Sequence, residues 1–442
     1  MELILRSINI SFFSLILVIG ISCTSDEPSL ILDRDLTDDQ IEDGNMSPAV
    51  FDLLSIADDT KNVDLTQITF SWEALVGSLT YNVYFGTDPD NVDILVETTT
   101  NLSFNFSDRF NVCTTYYWKV VANDGNGGVT ESSSTYSFST RNVNVHTNAL
   151  TYSANFEERS RHTSVVFQDK LWVIGGMGDH VDKQYSNVWY SADGIEWEEI
   201  SSNSPFGFRL EHNSVVFKDK IWVIGGGRIS TNNTWQSLTD IWSSPDGWNW
   251  TEVSAQIPFS TIYHYSTIVF QDKLWVFGGY NNIPNMPNEP NHKIWSSSDG
   301  VVWQEHDSPP NSSLDGKGSA LLFKDAIWFL DHRGVVQKST DGINWSLVVN
   351  ESSSYGEAIW HDSVVFDNHI WIIGGQVFPN GAVQGEYTNN IWKSSDGITW
   401  EQVEAPDEFP VRSLHTALSM NDKIFIIAGN SPYQSNDVWV ID

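Results

Sequence analysis

Three copies of Arg-x-x-His form the densest set of potentially chemical residues in this 442-residue chain: Arg159 with His162, Arg209 with His212, and Arg412 with His415. A guanidinium presents a planar fork of donors that matches a carboxylate or a sulfate, so three gathered in one place would make an anion-binding sector. Glu211, two residues after Arg209, is the one carboxylate of this set suited to act as a general base. Trp235, Tyr280, Trp360, Phe378 and Tyr433 fall in or beside segments expected to be wet loop tips, where an aromatic ring serves a sugar or a peptide. The plainer reading of the histidines is structural, each imidazole bonding to a neighbouring repeat, because buried polar groups have partners. No residue is assigned a catalytic role, and no metal or cofactor is called for. The run Asn123-Asp124-Gly125-Asn126-Gly127-Gly128 has the oxygen ligands of a calcium loop, but a glycine-rich hairpin turn explains it more simply.

The elements that must position these residues are visible as a repeat. Five phrases align around an Asp-Gly pair, ending on Trp197, Trp250, Trp303, Trp345 and Trp400. In each, Asp caps local amides, Gly takes positive φ, and the Trp opens the next strand on its buried face. Upstream lies a second phrase, as in His162 to Gly176: two strands joined by a polar turn and ended by a glycine pair. The pair recurs as Gly225-Gly226, Gly278-Gly279 and Gly374-Gly375, weakens to Ala428-Gly429, and is lost as Leu330-Asp331. Its spacings of 50, 53, 52, 44 and 54 residues define six units of about four strands each.

Over about 290 residues this pattern resembles kelch repeats and implies a six-bladed β-propeller. Trp172, Trp222, Trp275, Trp328, Trp371 and Phe425 form one aromatic column, and Trp189, Trp242, Trp295, Trp392 and Trp439 another; both belong to the core. Unit six ends on Val438 to Asp442 as a third strand, so Asn148 to Ser153, ahead of unit one, is expected to supply its outer strand. First strands begin, and second strands end, on one face of the disc, the face where kelch-like propellers tend to bind. Arg-x-x-His falls in units six, one and two, consecutive around a closed ring. Unit four has neither the glycine pair nor the His, and its following loop is short; it should form the low side of a basin opposite the arginines.

The remaining segments suggest export and presentation. Ile8 to Ile21 reads as a signal-peptide core, and Ile21-Ser22-Cys23 resembles a bacterial lipobox with Cys23 as the lipid-bearing residue. The acidic residues after it are similar to the tract that sends some Bacteroidetes lipoproteins to the cell surface. Residues 23–46 read as an acidic flexible tether. Residues 47–140 alternate in strand fashion and resemble a fibronectin type III module, with Trp72 as core tryptophan and Tyr116 or Tyr117 as tyrosine corner. Residues 141–147 read as a linker and 148–442 as the propeller. The only other cysteine is Cys113, so no internal disulfide forms once Cys23 is lipidated. A formal net charge of −34 opposes nucleic acid or an anionic membrane face as partner, leaving the lipid as the only membrane contact.

The expected architecture is therefore all-β: a signal peptide, a tether, an immunoglobulin-like sandwich and a six-bladed propeller. Its expected role is that of an outer-membrane, surface-exposed lipoprotein whose propeller binds glycan or protein, more a binding module than an enzyme. The alternative is a propeller enzyme acting on an acidic sugar. The Asp-Gly turns resemble sialidase Asp-boxes but lack the residue between Asp and Gly, and a sialic-acid epimerase built on kelch repeats suggests a use for Arg209 with Glu211. Copper chemistry of the galactose-oxidase type needs a cysteine cross-linked to tyrosine, and the propeller region has no cysteine.

Overall fold

The computed structural model describes residues 50–442 apart from 65–67, 107–109, 112–113, 260–261, 282–288, 292, 308–313, 315–317, 350–354, 379–384 and 432. Cys23, Cys113, the signal segment and the acidic tether lie outside the described residues. Every regular element among the described residues is a β-strand.

The first strands build two sheets around one aromatic core. Leu53–Ser55, Ile68–Trp72 and Ser103–Phe106 make one sheet; Thr60–Val63, Tyr136–Thr140, Thr115–Asn123, Thr80–Gly86 and Ile94–Thr99 follow one another across the second. Alternation places Phe70, Trp72, Val83, Trp118, Val120 and Phe138 between them, all essentially without exposure. The Tyr116 hydroxyl accepts the Asn111 amide at 3.1 Å, which makes Tyr116 rather than Tyr117 the tyrosine that ties this corner. At the 124–128 turn Asp124 Oδ1 accepts the amides of Asn126 at 2.7 Å and Gly128 at 2.8 Å. One oxygen of the carboxylate thus holds the turn.

From Thr163 onward the strands group into six antiparallel sheets of three to five strands, called blades 1 to 6 in chain order, and two small hairpin sheets. Blade 1 is typical: Thr163–Phe167, Lys170–Ile174, Val188–Ser191 and Glu198–Ser201 pair in sequence order. The innermost strand of each blade packs on that of the next, and Thr416–Met420 of blade 6 packs on Thr163–Phe167 of blade 1, closing the ring into a β-propeller. The first aromatic column stands between blades. Trp172 donates Nε1 to Phe167 O at 2.9 Å and lays its ring over the site of Gly247 in blade 2, where no Cβ would fit. Trp222, Trp275 and Trp328 repeat this against Gly300, Gly342 and Gly397, and Phe425 of blade 6 takes Gly194 of blade 1. The Asp-Gly turns are thus inter-blade sockets as well as turns. In each, the Asp accepts two amides, as Asp193 does from Ile195 and Glu196 at 2.8 and 3.0 Å.

The glycine pair is demanded by crowding. Gly225 and Gly226 have φ of 54° and 84°, and a Cβ on Gly226 would lie 2.6–2.7 Å from His212 Cβ, Cα and N. Gly226→Ala is expected to cost about 2–4 kcal/mol in chemical denaturation, from left-handed strain plus an immovable backbone neighbour. Gly207→Ala, also at positive φ but with nothing within 4 Å, should cost only about 1 kcal/mol.

Blade 6 contributes Thr416–Met420, Lys423–Ser431 and Tyr433–Ile441, and the chain ahead of blade 1 runs along its outer edge. Thr151 bridges Val438 and Val145 bridges Ile441, while Asn144 and Asp442 exchange amide-to-carbonyl bonds of 2.8 and 3.1 Å. Pairing therefore begins inside residues 141–147, the stretch read from sequence as a linker, because Val143 and Val145 find apolar cover against Trp439 and Ile441.

Candidate functional site

In five of the six repeats one residue is turned out of the strand pattern toward the propeller axis. Arg161, Glu211, His264, Trp360 and Leu414, each immediately before the first-strand His or Tyr, have φ between 53° and 56°. The residue before four of these pairs across to the segment after the glycine pair, as in Ser160 with Met177 and Leu210 with Gly227. The left-handed residue then reverses side-chain direction before the strand starts. Adjacent kinks are stitched together: Glu211 N donates to Arg161 O, Arg161 N to Leu414 O and Leu414 N to Trp360 O, at 3.0–3.2 Å. Five variable side chains are thereby presented around one opening on a rigid frame.

They surround a pocket of about 300 Å³ on the axis. Arg161 is ion-paired with Glu211, whose second oxygen lies 3.4 Å from His264 Nδ1. Trp360 stands on blade 5, opposite Glu211 on blade 2 in a ring of six. Below them His162, His212, His361, His415 and Tyr265 form the wall, and Thr163, Asn213, Asp362 and Thr416 the layer after that. This layer is knitted by hydroxyls, Thr163 Oγ1 to Ser214 Oγ and Ser164 Oγ to Thr416 Oγ1 both at 2.6 Å. From blade 4 only Gly318 lines the pocket among the described residues, and a tight turn, Asp331 N to Val335 O at 3.0 Å, replaces its loop.

The wall histidines are neutral. Burial, with Arg159 adding to it, pushes the His162 imidazole down to about 3, and burial holds His361 at about 4. His212 and His415 lie well below the usual imidazole range for the same reason, each with its own repeat's arginine as the second cause. They connect blades: His162 Nε2 sits 3.0 Å from Thr416 Oγ1 and His212 Nε2 2.8 Å from Thr163 Oγ1.

The three arginines are not in the pocket. Arg159, Arg209 and Arg412 are 0% exposed. Each donates Nη1 to the carbonyl of the first residue of its own blade's glycine pair, Gly175, Gly225 or Ala428, at 2.9–3.0 Å. Each also engages a polar partner two residues before the second-column tryptophan. Arg209 reaches Asp240 at 3.0 and 3.2 Å, Arg412 reaches Asp437 at 2.9 and 3.3 Å, and Arg159 reaches Asn187 at 2.9 Å with Glu157 Oε2 at 2.6 Å. An aromatic ring three residues upstream covers each guanidinium, Phe156, Phe206 or Phe409, at 5.1–5.3 Å. The expected cationic sector thus becomes a set of internal braces, because the kink after each arginine turns it inward and its successor, such as Arg161, outward.

Of the other expected contacts, Glu211 and Trp360 line the pocket, and Trp235 and Tyr280 do not. Trp235 belongs to a hairpin, Gly227–Ile229 with Trp235–Ser237, and lies flat over Gly227 with Nε1 3.2 Å from Ser237 Oγ. Tyr280 sits on the extended strand Lys273–Asn281, paired with Pro290. Phe378 is half-buried and Tyr433 is exposed on the last hairpin. Arg161 and His264 were missed by the sequence reading. Their signal is the position one before the column histidine, which is unlike in every repeat.

No family and no curated protein matches the chain. Among solved structures it is similar to that of YjhT, at 14% identity over 64% of this chain and 94% of that one, with a TM-score of 0.53. At that identity the likeness concerns the fold alone, and it agrees with the four-stranded sheets in defining that fold as a β-propeller.

Proposed function

We propose that this propeller is a receptor module holding the terminal residue of a glycan in its axial pocket. The observation that supports it most is the Arg161–Glu211–His264 cluster facing Trp360 across a cavity of about 300 Å³. Carboxylate, guanidinium and hydroxyls suit a ring of sugar hydroxyls, and the indole suits its apolar face. A cavity of that size takes one or two sugar rings more readily than a protein surface. Within this reading Cys23 carries the lipid, the acidic segment is a tether, and the sandwich, fibronectin type III-like in its strand order, is a spacer that presents the propeller at the outer surface of the outer membrane. Nucleic acid is no partner of so acidic a chain.

A glycan array probed with the mature protein tests this. The glycan retained is expected to bind Glu211→Gln and Trp360→Ala tenfold to a hundredfold more weakly, roughly 1.5–3 kcal/mol, when affinity is measured well below each variant's own melting temperature, because Glu211→Gln also leaves Arg161 without its ion pair and lowers stability. An array without retained glycans, or equal affinity in both variants, overturns the reading.

A second reading, an enzyme acting on an acidic sugar, is favoured by one contact: the 3.4 Å approach of His264 Nδ1 to Glu211, which couples a base to a titratable neighbour inside the pocket. Chemical change in the retained glycan on prolonged incubation, lost in Glu211→Gln, separates it from simple binding.

A further inference from the structure

The residue after the column histidine forms a second ring around the axis: Thr163, Asn213, Ser266, Ser319, Asp362 and Thr416 from blades 1 to 6. Five are neutral hydroxyls or amides, and blade 5 alone places a carboxyl there. Asp362 lines the same pocket as Glu211 and comes from the opposite blade. Their partners differ in kind. Glu211 is bound to a guanidinium. Asp362 has only backbone donors, Ser363 N to Oδ1 at 2.8 Å and Ala417 N to Oδ2 at 2.7 Å, and no ion pair among the described residues.

We infer that Asp362 meets the pocket's ligand as a neutral carboxylic acid, donating a hydrogen bond from blade 5 while the Glu211 carboxylate accepts one from blade 2. The inference rests on the proposal that the pocket binds a sugar. Two amide donors fix both oxygens and so the plane of the carboxyl, in a layer whose other pocket-lining members are Thr163, Asn213 and Thr416. The neighbours do not supply a counter-charge: His361 on the same strand and His415 on blade 6 are neutral, and Ser319 and Ser363 are hydrogen-bonded to each other at 2.6 Å. Arg161, the guanidinium of the pocket, is paired with Glu211, and His264 also faces that carboxylate. Burial accordingly raises the Asp362 carboxyl to about 7, against the lowering by its two amides. Below pH 7 the Asp362 acid and the Glu211 carboxylate then give the cavity one donor and one acceptor.

The test uses the full chain and glucuronic acid, a carboxylate-bearing monosaccharide that stays ionised from pH 5 to 9, titrated calorimetrically. The parent is expected to bind with constant affinity below pH 6 and to lose about tenfold per pH unit above 7, as the donor ionises. Asp362→Asn keeps a donor but removes the titration, so its affinity should stay flat to pH 9, whereas Asp362→Ala should bind weakly throughout. A parent pH profile that persists in Asp362→Asn overturns the inference, since the titrating group is then His264 or another. If glucuronic acid binds at no pH, that failure belongs to the choice of ligand. The infrared difference between parent and Asp362→Asn then decides Asp362 itself. A protonated-carboxyl band at pH 6 that disappears by pH 9 upholds it, and its absence at pH 6 overturns it.

Discussion

A chain beginning at Ser160 is expected not to fold, while one beginning at Arg141 folds as a complete propeller. The segment between them is the outer edge and part of the core of blades 6 and 1. Its loss removes the hydrogen bonds that Asn144, Leu150, Ala154 and Arg159 make to the last strand, and leaves that strand, 433–441, as an open edge. It also removes Phe156, 1% exposed and 5.0 Å edge-on from Trp197, together with Ala154 and Leu150 from the same cluster. Arg159, the brace of blade 1, goes with them, orphaning Asn187 and the Gly175 carbonyl. At about 1 kcal/mol per hydrogen bond and about 1.5–3 kcal/mol per large apolar side chain, the sum is on the order of 5–10 kcal/mol. That equals the whole stability of an ordinary domain. Soluble yield and circular dichroism of the two chains check it; equal thermal stability would show that the ring closes without this segment.

The ring and its closure were legible because backbone geometry dictates their residues. Only glycine tolerates φ near 84° with a backbone neighbour under 3 Å away, as at Gly226, so the repeat is spelled in glycines and in the Asp-Gly turns. The site was less legible because it depends on where side chains point. Strand alternation puts residues i and i+2 on one side, which would send Arg159 and Arg161 together toward the opening. The left-handed residue breaks that alternation, and a single φ decides that Arg161 faces the axis and Arg159 the interior. A clue was nonetheless present in the sequence. Asp240 and Asp437 stand two residues before Trp242 and Trp439 in repeats that carry the arginine, and the equivalent place in blade 3, which has Ile262 in place of arginine, is Lys293. In two of the three arginine-bearing repeats an aspartate stands at this place, and in blade 1 Asn187 does; a polar partner set opposite each arginine in this way marks an internal pair more than a ligand site. The stretch around Asp362 gave no such clue, since one acid among serines and threonines looks like ordinary strand polarity until the ring is closed.

The arginine braces then carry the converse expectation to a ligand contact: Arg209→Ala should lower stability by about 3–5 kcal/mol and leave the affinity of the folded protein for its ligand within about twofold of the parent. The side chain is 0% exposed and fills space beneath Phe206, so truncation leaves a cavity as well as unmade bonds. The Gly225 carbonyl loses its donor, and Asp240, only 20% exposed, keeps its charge without the guanidinium that offset the cost of burying it. Trp242 Nε1, which donates to the same Asp240 oxygen at 2.6 Å, is the one partner left. Arg412→Ala should cost as much or more, because Asp437 is only 11% exposed, and Arg159→Ala less, because Glu157 is half exposed and hydrates once freed. Replacing both members of the blade 2 pair, Arg209→Leu with Asp240→Leu, should recover part of the loss, since two apolar groups leave no buried charge unpaired. Urea midpoints of the single and double variants read these differences directly, and affinity for the array-selected glycan, measured well below the midpoint, reads the other half. A stable Arg209→Ala protein that has lost its ligand would return the arginines to the binding site.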